Sequence, residues 1–293
     1  MMGMDKLLFT RIQEIVNPNV FCGKKVVVIG VGSGGRKWAL SLAMAGVSWF
    51  VLIDPDKLSI ENIIRHICGL KDLGCYKTEA VKKQILNHNP HAKVDTHNFD
   101  IMDDEEFLKT LIADASLVLA GLDSEPARHA LNRIALLAKV PVIYATTFHR
   151  AFCGEVFRVI PGKGPCYACY AHFLERTGVV EQTTKAIDYN DPQMDEKLST
   201  SPGLGMDIEI ISLIAAKISL ITLLEGTKYE MPSYPGNYIF WGNRPMENGL
   251  VSQYFECRFW HVPRNENCLI CQPEKEEWEQ SYDDIIANLV KDE

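Results

Sequence analysis

A glycine-rich turn near the N-terminus constrains the fold of this chain more than any other feature of its sequence. The pattern G-x-G-x-x-G occupies residues 30–35, after a β-branched run over 25–29 and before a segment, 34–45, with helical spacing of apolar and small residues. In a strand–turn–helix context the glycines permit a tight turn, close backbone approach to phosphate and packing of helix on strand, and the helix N-terminus attracts the anion. The predicted nucleotide contacts in this turn are Gly30, Gly32, Ser33, Gly34 and Gly35.

Further along, apolar runs typical of buried strands alternate with segments of helical periodicity. Strands are predicted at 49–53, 93–99, 116–121, 141–147 and 152–160, and helices at 76–87, 104–112 and 125–138. This alternation predicts an α/β fold, a doubly wound, Rossmann-like, mostly parallel sheet with helices on both faces. The C-terminal part is expected to add an antiparallel pair and two helices, at 238–241, 251–260, 206–225 and 274–290. Residues 171–205 lack a clear period and are predicted to form a long loop with local helix.

An acidic residue accompanies the glycine turn. Asp54 ends the second predicted strand, nineteen residues after Gly35. A carboxylate at this place accepts hydrogen bonds from ribose hydroxyls in nucleotide-binding folds of this type. The turn and Asp54 together predict a nucleotide site but leave NAD and ATP equally open.

A polar cluster after Asp54 separates these two nucleotides. It consists of Asp56, Asn62, Arg65 and Lys77, and Asp123 follows the third buried strand. The segments IDPDKLSIENIIRHI, GCYKTEA and AGLDSEPAR, which carry these residues, resemble the ThiF/HesA/MoeB family of ubiquitin-like activating enzymes. Two more residues, Arg128 and Asn132, fall on positions like those of the family.

The resemblance implies an ATP-dependent adenylyltransferase. In such an enzyme the C-terminal carboxylate of a small ubiquitin-like or sulfur-carrier protein ending in Gly-Gly attacks the α-phosphorus of ATP, and pyrophosphate leaves. Neutralising the phosphate charge dominates that barrier. By resemblance, Asn62 and Arg65 hold the β- and γ-phosphates, Lys77 reaches the α-phosphate, and Asp123 holds Mg²⁺. So many polar and cationic side chains around a triphosphate favour ATP over NAD.

The resemblance also assigns accessory roles and a quaternary state. Asp54 takes the ribose, Asp56 assists at the metal or the nucleotide, and Leu122 contacts the nucleotide. Arg11 resembles an arginine that the family places before its first strand, where it reaches the γ-phosphate of the neighbouring subunit. A homodimer is therefore expected, with the predicted helices at 125–138 and 206–225 as its faces. Arg36, just after the glycine turn, is expected to face solvent rather than phosphate.

Two short cysteine pairs predict a metal site. Cys166-x-x-Cys169 and Cys268-x-x-Cys271 supply four thiolates, the ligand set of a closed, structural zinc site. The pairs also resemble the cysteine knuckles of the family, at matching places in the chain. Zinc would pin the C-terminal strands to the start of the long loop, without an open position for Lewis-acid chemistry.

The cysteines also mark a departure from part of the family. Members that form a thioester or persulfide carry a cysteine in the crossover loop, and this chain has none between Cys169 and Cys257. The other cysteines are interpreted as core or loop thiols: Cys22, Cys68, Cys75, Cys153 and Cys257. Adenylation without covalent transfer is therefore the better-supported hypothesis.

Composition limits the classes of partner. The 293 residues include 30 Lys and Arg against 38 Asp and Glu, a net charge of −8, with no basic run. This argues against nucleic acid or an anionic membrane as partner. No apolar stretch approaches the roughly 18 residues of a membrane span, and no secretory signal pattern opens the chain, so a cytoplasmic protein is expected.

The expected organisation is one ThiF-type adenylation domain over 1–293. A nucleotide-binding half covers about 1–160, and a half with the zinc site, the crossover loop and the C-terminus covers about 161–293. Three other functions stay open from the sequence. They are adenylation of a different carboxylate on a peptide or RNA, a catalytically silent nucleotide-binding partner subunit, and an NAD-dependent oxidoreductase.

Overall fold

One mixed β-sheet organises the molecule. The computed structural model describes residues 7–177 and 202–271. Its eight strands lie in the order β3-β2-β1-β4-β5-β6-β7-β8. The strands are β1 Val26–Ile29, β2 Trp49–Ile53, β3 Lys93–His97, β4 Leu117–Ala120, β5 Val142–Thr147, β6 Cys153–Val159, β7 Tyr238–Gly242 and β8 Glu256–Trp260. Strands β1 to β5 are mutually parallel, whereas β6, β7 and β8 are each antiparallel to their neighbours.

Within the described residues, six α-helices cover the two faces of this sheet. They are α1 Gly35–Met44, α2 Lys77–His88, α3 Glu105–Ile112, α4 Glu125–Leu137, α5 Tyr167–Thr177 and α6 Gly205–Leu224. Helices α1, α2 and α6 share one apolar core, and α3, α4 and α5 share the other. Strand β1 is buried throughout because alternate side chains serve different cores: Val26 and Val28 the first, Val27 and Ile29 the second. The predicted α/β, doubly wound sheet is confirmed.

Element boundaries differ from the sequence prediction in two informative places. Helix α5 continues through Thr177, inside the stretch predicted as a long loop, because Tyr167, Tyr170 and Leu174 bury a common helical face. Strand β8 begins only at Glu256, because Phe255 has a left-handed backbone with φ of +58°. Residues 178–201 of the predicted loop and the predicted helix at 274–290 lie outside the described residues.

Helix α6 is the longest described helix and is largely internal. It packs on α1 and against β5 and β6, and its buried side chains lie on every side of the helix axis. Most of its surface is therefore used within the chain rather than offered to a second copy. Among the described helices, including α6, none is long and apolar enough to cross a membrane.

Candidate functional site

The glycine loop, residues 30–35, lies where the strand order reverses. The chain leaves β1 toward β2 on one side and returns to β4 on the other, which is where open α/β sheets bind ligands. Gly30 has φ of +80°, and a Cβ on it would lie 2.2 Å from the Gly121 carbonyl oxygen. A Cβ on Gly35 would lie 1.9 Å from the Gly30 carbonyl oxygen, so helix α1 starts directly against the loop. Gly32 has open space beside it, as backbone approach to a phosphate requires.

Asp54 joins the end of β2 to the glycine loop. Its Oδ2 accepts a hydrogen bond from the Val31 backbone N–H at 2.8 Å, and its Oδ1 accepts one from Asp56 N–H at 3.0 Å. Burial raises the pKa of this carboxyl, while the charge of Lys77 and the two N–H donors oppose the shift. Asp54 therefore holds the loop in shape, and each oxygen keeps a lone pair for a further donor.

Asp56 and Lys77 form an ion pair beside Asp54. Lys77 Nζ lies 2.6 Å from Asp56 Oδ2, and the Lys77 backbone N–H donates to the Asp56 carbonyl oxygen at 2.9 Å. The lysine side chain is 13 % exposed and the aspartate 61 % exposed. Lys77 opens helix α2, so its cation stands at the positive end of a helix dipole, an arrangement that suits an anionic ligand.

Asn62 and Arg65 lie on the 3-10 helix Ile60–Arg65, between β2 and α2. Asn62 Oδ1 accepts hydrogen bonds from the Ser59 N–H at 3.2 Å and from Ser59 Oγ at 3.0 Å, so the Asn62 carbonyl caps this short helix. Its Nδ2 keeps both protons for other acceptors. Arg65 ends the helix and is half-buried.

Leu122 and Asp123 follow β4 on the other side of the glycine loop. The Leu122 carbonyl accepts from Arg128 Nε at 3.0 Å and Nη2 at 2.7 Å, which fixes the turn that carries the exposed Asp123. Arg128 also donates to Thr146 Oγ1 at 2.5 Å and, more distantly, to the Tyr167 hydroxyl at 3.4 Å. The side chain of Arg128 thus connects the Asp123 turn with the first residue of α5.

Among the described residues, the glycine loop, Asp54, Asp56 and Lys77 form one connected group, whereas Arg11 is not joined to it. Gly30 touches Gly121, Val31 is bound to Asp54, and Asp54 leads to Asp56 and Lys77. Arg11 lies on an exposed turn before the first strand. Within 7–177 and 202–271, no hydrogen bond or ion pair joins its side chain to the glycine loop.

Two residues outside the predicted site also contact this region. Arg36, expected at the surface, is only 1 % exposed, and its guanidinium binds the Arg65 carbonyl and Glu209. His66 Nε2 lies 3.1 Å from the Val31 carbonyl oxygen, and its Nδ1 accepts from the Cys68 N–H at 3.2 Å. Burial lowers the pKa of His66 to about 4. Helical spacing was the available signal for Arg36, since it stands three residues before buried Ala39.

The four paired cysteines converge, as predicted. The Sγ atoms of Cys166, Cys169, Cys268 and Cys271 all lie within 4.8 Å of one another. Individual separations are 3.9 Å for 166–169, 3.7 Å for 166–268 and 3.5 Å for 169–271. Four sulfurs at about 2.3 Å from a tetrahedral metal stand roughly 3.8 Å apart, so this cluster fits such an ion. Hydrogen bonding with the Cys166 thiol lowers the pKa of Cys169.

The remaining cysteines have different surroundings. Burial raises the pKa of Cys68 and of Cys153 to about 12, which makes both inert at neutral pH. Cys257 is exposed on β8, and partial burial of its thiol also raises its pKa. Cys22 is exposed on the turn before β1. These environments agree with the interpretation of Cys68 and Cys153 as core thiols and of Cys22 as a loop thiol, whereas Cys257 lies on a strand.

Comparison with known proteins decides the family. A model of the ThiF family matches residues 22–273, a range that includes the glycine loop, the polar cluster and both cysteine pairs. This chain belongs to the ThiF family. Of the predicted site residues of this ThiF-family chain, Arg11 alone precedes the matched range.

Curated relatives of this ThiF-family chain include ubiquitin-like modifier-activating enzymes. The Caenorhabditis elegans ubiquitin-like modifier-activating enzyme 5 is 30 % identical over 171 residues, which are 55 % of this chain and 41 % of that protein. The Dictyostelium discoideum enzyme of the same name is 27 % identical over 170 residues, which are 55 % of this chain and 45 % of that protein. The match therefore spans less than half the length of these relatives.

Solved structures share the fold of this ThiF-family chain. E. coli MccB with ATP superposes with a TM-score of 0.64 at 19 % identity, covering 87 % of this chain and 68 % of that one. PaaA superposes with a TM-score of 0.64 at 22 % identity, covering 85 % of this chain and 67 % of that one. At these identities the likeness concerns the fold.

Proposed function

We propose that this chain is an ATP-dependent adenylyltransferase that activates the C-terminal carboxylate of a small ubiquitin-like or sulfur-carrier protein. The observation that carries the proposal is the Asp56–Lys77 pair at the start of α2, beside a glycine loop that Asp54 holds in shape. The diphosphate bridge of a nicotinamide dinucleotide carries too little charge to require Lys77, Arg65 and Asn62 around it. A nucleoside triphosphate needs such groups to offset its charge.

In the proposed reaction a carboxylate oxygen of the partner attacks the α-phosphorus of ATP. A new P–O bond forms, the bond from the α-phosphorus to the bridging oxygen breaks, and pyrophosphate leaves with that electron pair. The glycine loop and Lys77 would stabilise charge on the α-phosphate, while Asn62 and Arg65 would bind the β- and γ-phosphates. The carboxylate of Asp123 suits Mg²⁺, which would offset further phosphate charge when bound.

The accessory assignments belong to the same proposal. Asp54 would accept from the ribose with its remaining lone pairs, Asp56 would assist at the metal or nucleotide, and Leu122 would line the nucleotide site. The cysteine cluster would hold a structural zinc ion. Arg11 would act across a homodimer, at the site of the second subunit.

A second candidate is adenylation of a peptide carboxylate. The absence of cysteine between Cys169 and Cys257 favours it, because that stretch has no thiol to receive an activated carrier protein. The fold shared with MccB, whose solved structures include one with ATP, supports the same nucleotide chemistry.

Exchange of labelled pyrophosphate into ATP tests the proposal. Exchange that requires an added Gly-Gly-tailed protein is the expected result. Exchange that requires a peptide instead would favour the second candidate. ATP binding without exchange would leave a silent partner subunit, and binding of nicotinamide nucleotides in place of ATP would overturn the adenylation hypothesis.

The Asp123→Ala variant is expected to lose exchange by a factor of at least about a hundred, because the phosphate charge would lack its metal. Its circular dichroism should match the wild type, since the Asp123 side chain is exposed. Asp103→Ala, another exposed acid before α3, is the matched control and should keep full exchange. An active Asp123→Ala variant would contradict the magnesium assignment.

A further inference from the structure

Arg36 is the least expected buried charge in the molecule. It lies one residue after the glycine loop, in the first turn of α1, and is 1 % exposed. A buried guanidinium stays charged and must find acceptors for its donors. Burial lowers the pKa of Arg36 against the opposing effect of Glu209, although the side chain remains charged at any physiological pH. The partners of Arg36 therefore reveal what the residue does.

Two of the three guanidinium nitrogens of Arg36 bind the same backbone carbonyl oxygen. Arg36 Nε lies 3.2 Å and Nη2 2.6 Å from the carbonyl oxygen of Arg65. That carbonyl ends the 3-10 helix Ile60–Arg65, where a carbonyl has no partner within the helix. Arg36 thus caps the short helix from a different element, at the residue proposed to bind the β- and γ-phosphates.

The third guanidinium nitrogen of Arg36 binds a residue of helix α6. Arg36 Nη1 lies 3.0 Å from Glu209 Oε1, and the Glu209 side chain is 32 % exposed. The start of α6 touches the same short helix a second time, because a Cβ on Gly205 would lie 3.2 Å from the Ile64 carbonyl oxygen. A third contact reaches the glycine loop, since a Cβ on Gly34 would lie 3.4 Å from Ser212 Oγ. The first half of α6 supports both proposed phosphate-binding elements.

We infer that Arg36 and Glu209 are positioning residues for ATP, because they fix the end of the helix that carries Arg65 to α1 and α6. The inference rests on the proposed function, because it assigns to Arg65 the terminal phosphates of ATP. It predicts a selective effect. ATP should lose affinity when the contact is broken, while AMP, which has only the α-phosphate, should keep its affinity.

The test is equilibrium binding of Mg²⁺-ATP and of AMP to the full chain and its variants. Arg36→Met should raise the Kd for ATP about tenfold or more, the effect of losing charge-assisted hydrogen bonds, and leave the Kd for AMP within about twofold. Glu209→Gln, which keeps the shape of the side chain, should also raise the ratio of the Kd for ATP to the Kd for AMP, but by a smaller factor. Lys37→Met is the matched control, because Lys37 Nζ also contacts Glu209, at 3.4 Å, but among the described residues Lys37 makes no hydrogen bond with Arg65. It should leave both constants unchanged.

Three results would overturn the inference. The first is an unchanged ATP Kd in a folded Arg36→Met variant, and the second is an equal rise for ATP and AMP, which a general loss of structure would produce. The third applies if circular dichroism shows that Arg36→Met does not fold. In that case Glu209→Gln is the test, and an unchanged ratio of its Kd for ATP to its Kd for AMP would contradict the inference. Failure of the wild-type chain to bind ATP would overturn the proposed function together with this inference, so the two failures are distinguishable.

Discussion

At the scale of single residues, the site is built from polar groups that first satisfy one another. Asp54 binds the glycine loop, and Asn62 caps its own helix. His66 links the same region to Val31, in a tautomer fixed by its two contacts. The Cys68 N–H donates to Nδ1, so the proton lies on Nε2 and points at the Val31 carbonyl. Protonation of Nδ1 would remove the Cys68 contact.

His66 should therefore make the fold sensitive to mild acid. Its pKa is lowered from 6.5 to about 4 in the folded chain. Between these values the unfolded chain takes up a proton that the folded chain does not, so the free energy of unfolding falls as the pH drops from 6.5 to 4. The loss attributable to His66 should approach roughly 3 kcal/mol at pH 4.

Denaturant unfolding of the wild type and of His66→Gln across this pH range measures the effect. The difference between the two free energies should change with pH because glutamine does not titrate. Parallel pH curves would show that His66 is not the responsible group.

At the scale of elements, the turn between β1 and α1 leaves little room for change. Gly35→Ala would place a methyl group 1.9 Å from the Gly30 carbonyl oxygen, so α1 would have to move away from β1. We expect the free energy of unfolding to fall by about 3 kcal/mol or more. Gly32→Ala is the control, with no atom within 4 Å of the added methyl, and should stay within about 0.5 kcal/mol. Urea unfolding compares them, and equal stabilities would contradict the packing argument.

The elements themselves were largely predictable, for a physical reason. Strands β1, β2 and β4 are buried on both faces, so their sequences are continuous apolar runs that helices of this length do not show. The bounds of helix α5 were not predicted, only local helix after residue 171, because its apolar face, which includes Tyr170, is interleaved with the paired cysteines. The partners of Arg36 were beyond prediction, since Glu209 is 173 residues away in the chain.

At the scale of the whole molecule, the cysteine cluster joins distant parts of the chain. Cys166 and Cys268 are 102 residues apart, and a metal between them would close a loop containing α6, β7 and β8. Closing so long a loop strongly reduces the conformational entropy of the unfolded chain. Because the site forms only in the folded chain, the free energy of metal binding would add to the free energy of folding.

We expect the purified chain to contain about one zinc ion, measured by elemental analysis. Cys268→Ser should lower the metal content and reduce the melting temperature by roughly 10 °C. Cys257→Ser, which alters an exposed thiol outside the cluster, should change neither. A metal-free wild type that melts at the same temperature as the loaded protein would contradict a structural role for the metal.

The side chain of Arg128 connects the cysteine cluster with the turn that carries Asp123. Tyr167 directly follows Cys166, and its hydroxyl accepts a hydrogen bond from Arg128 Nη1 at 3.4 Å, while Arg128 Nη2 donates to the Leu122 carbonyl oxygen, next to Asp123. One guanidinium thus lies between the cysteine cluster and the turn of the proposed nucleotide site. If the cluster holds the proposed metal, we expect its oxidation or removal by a chelating agent to weaken the proposed binding of nucleotide through this contact.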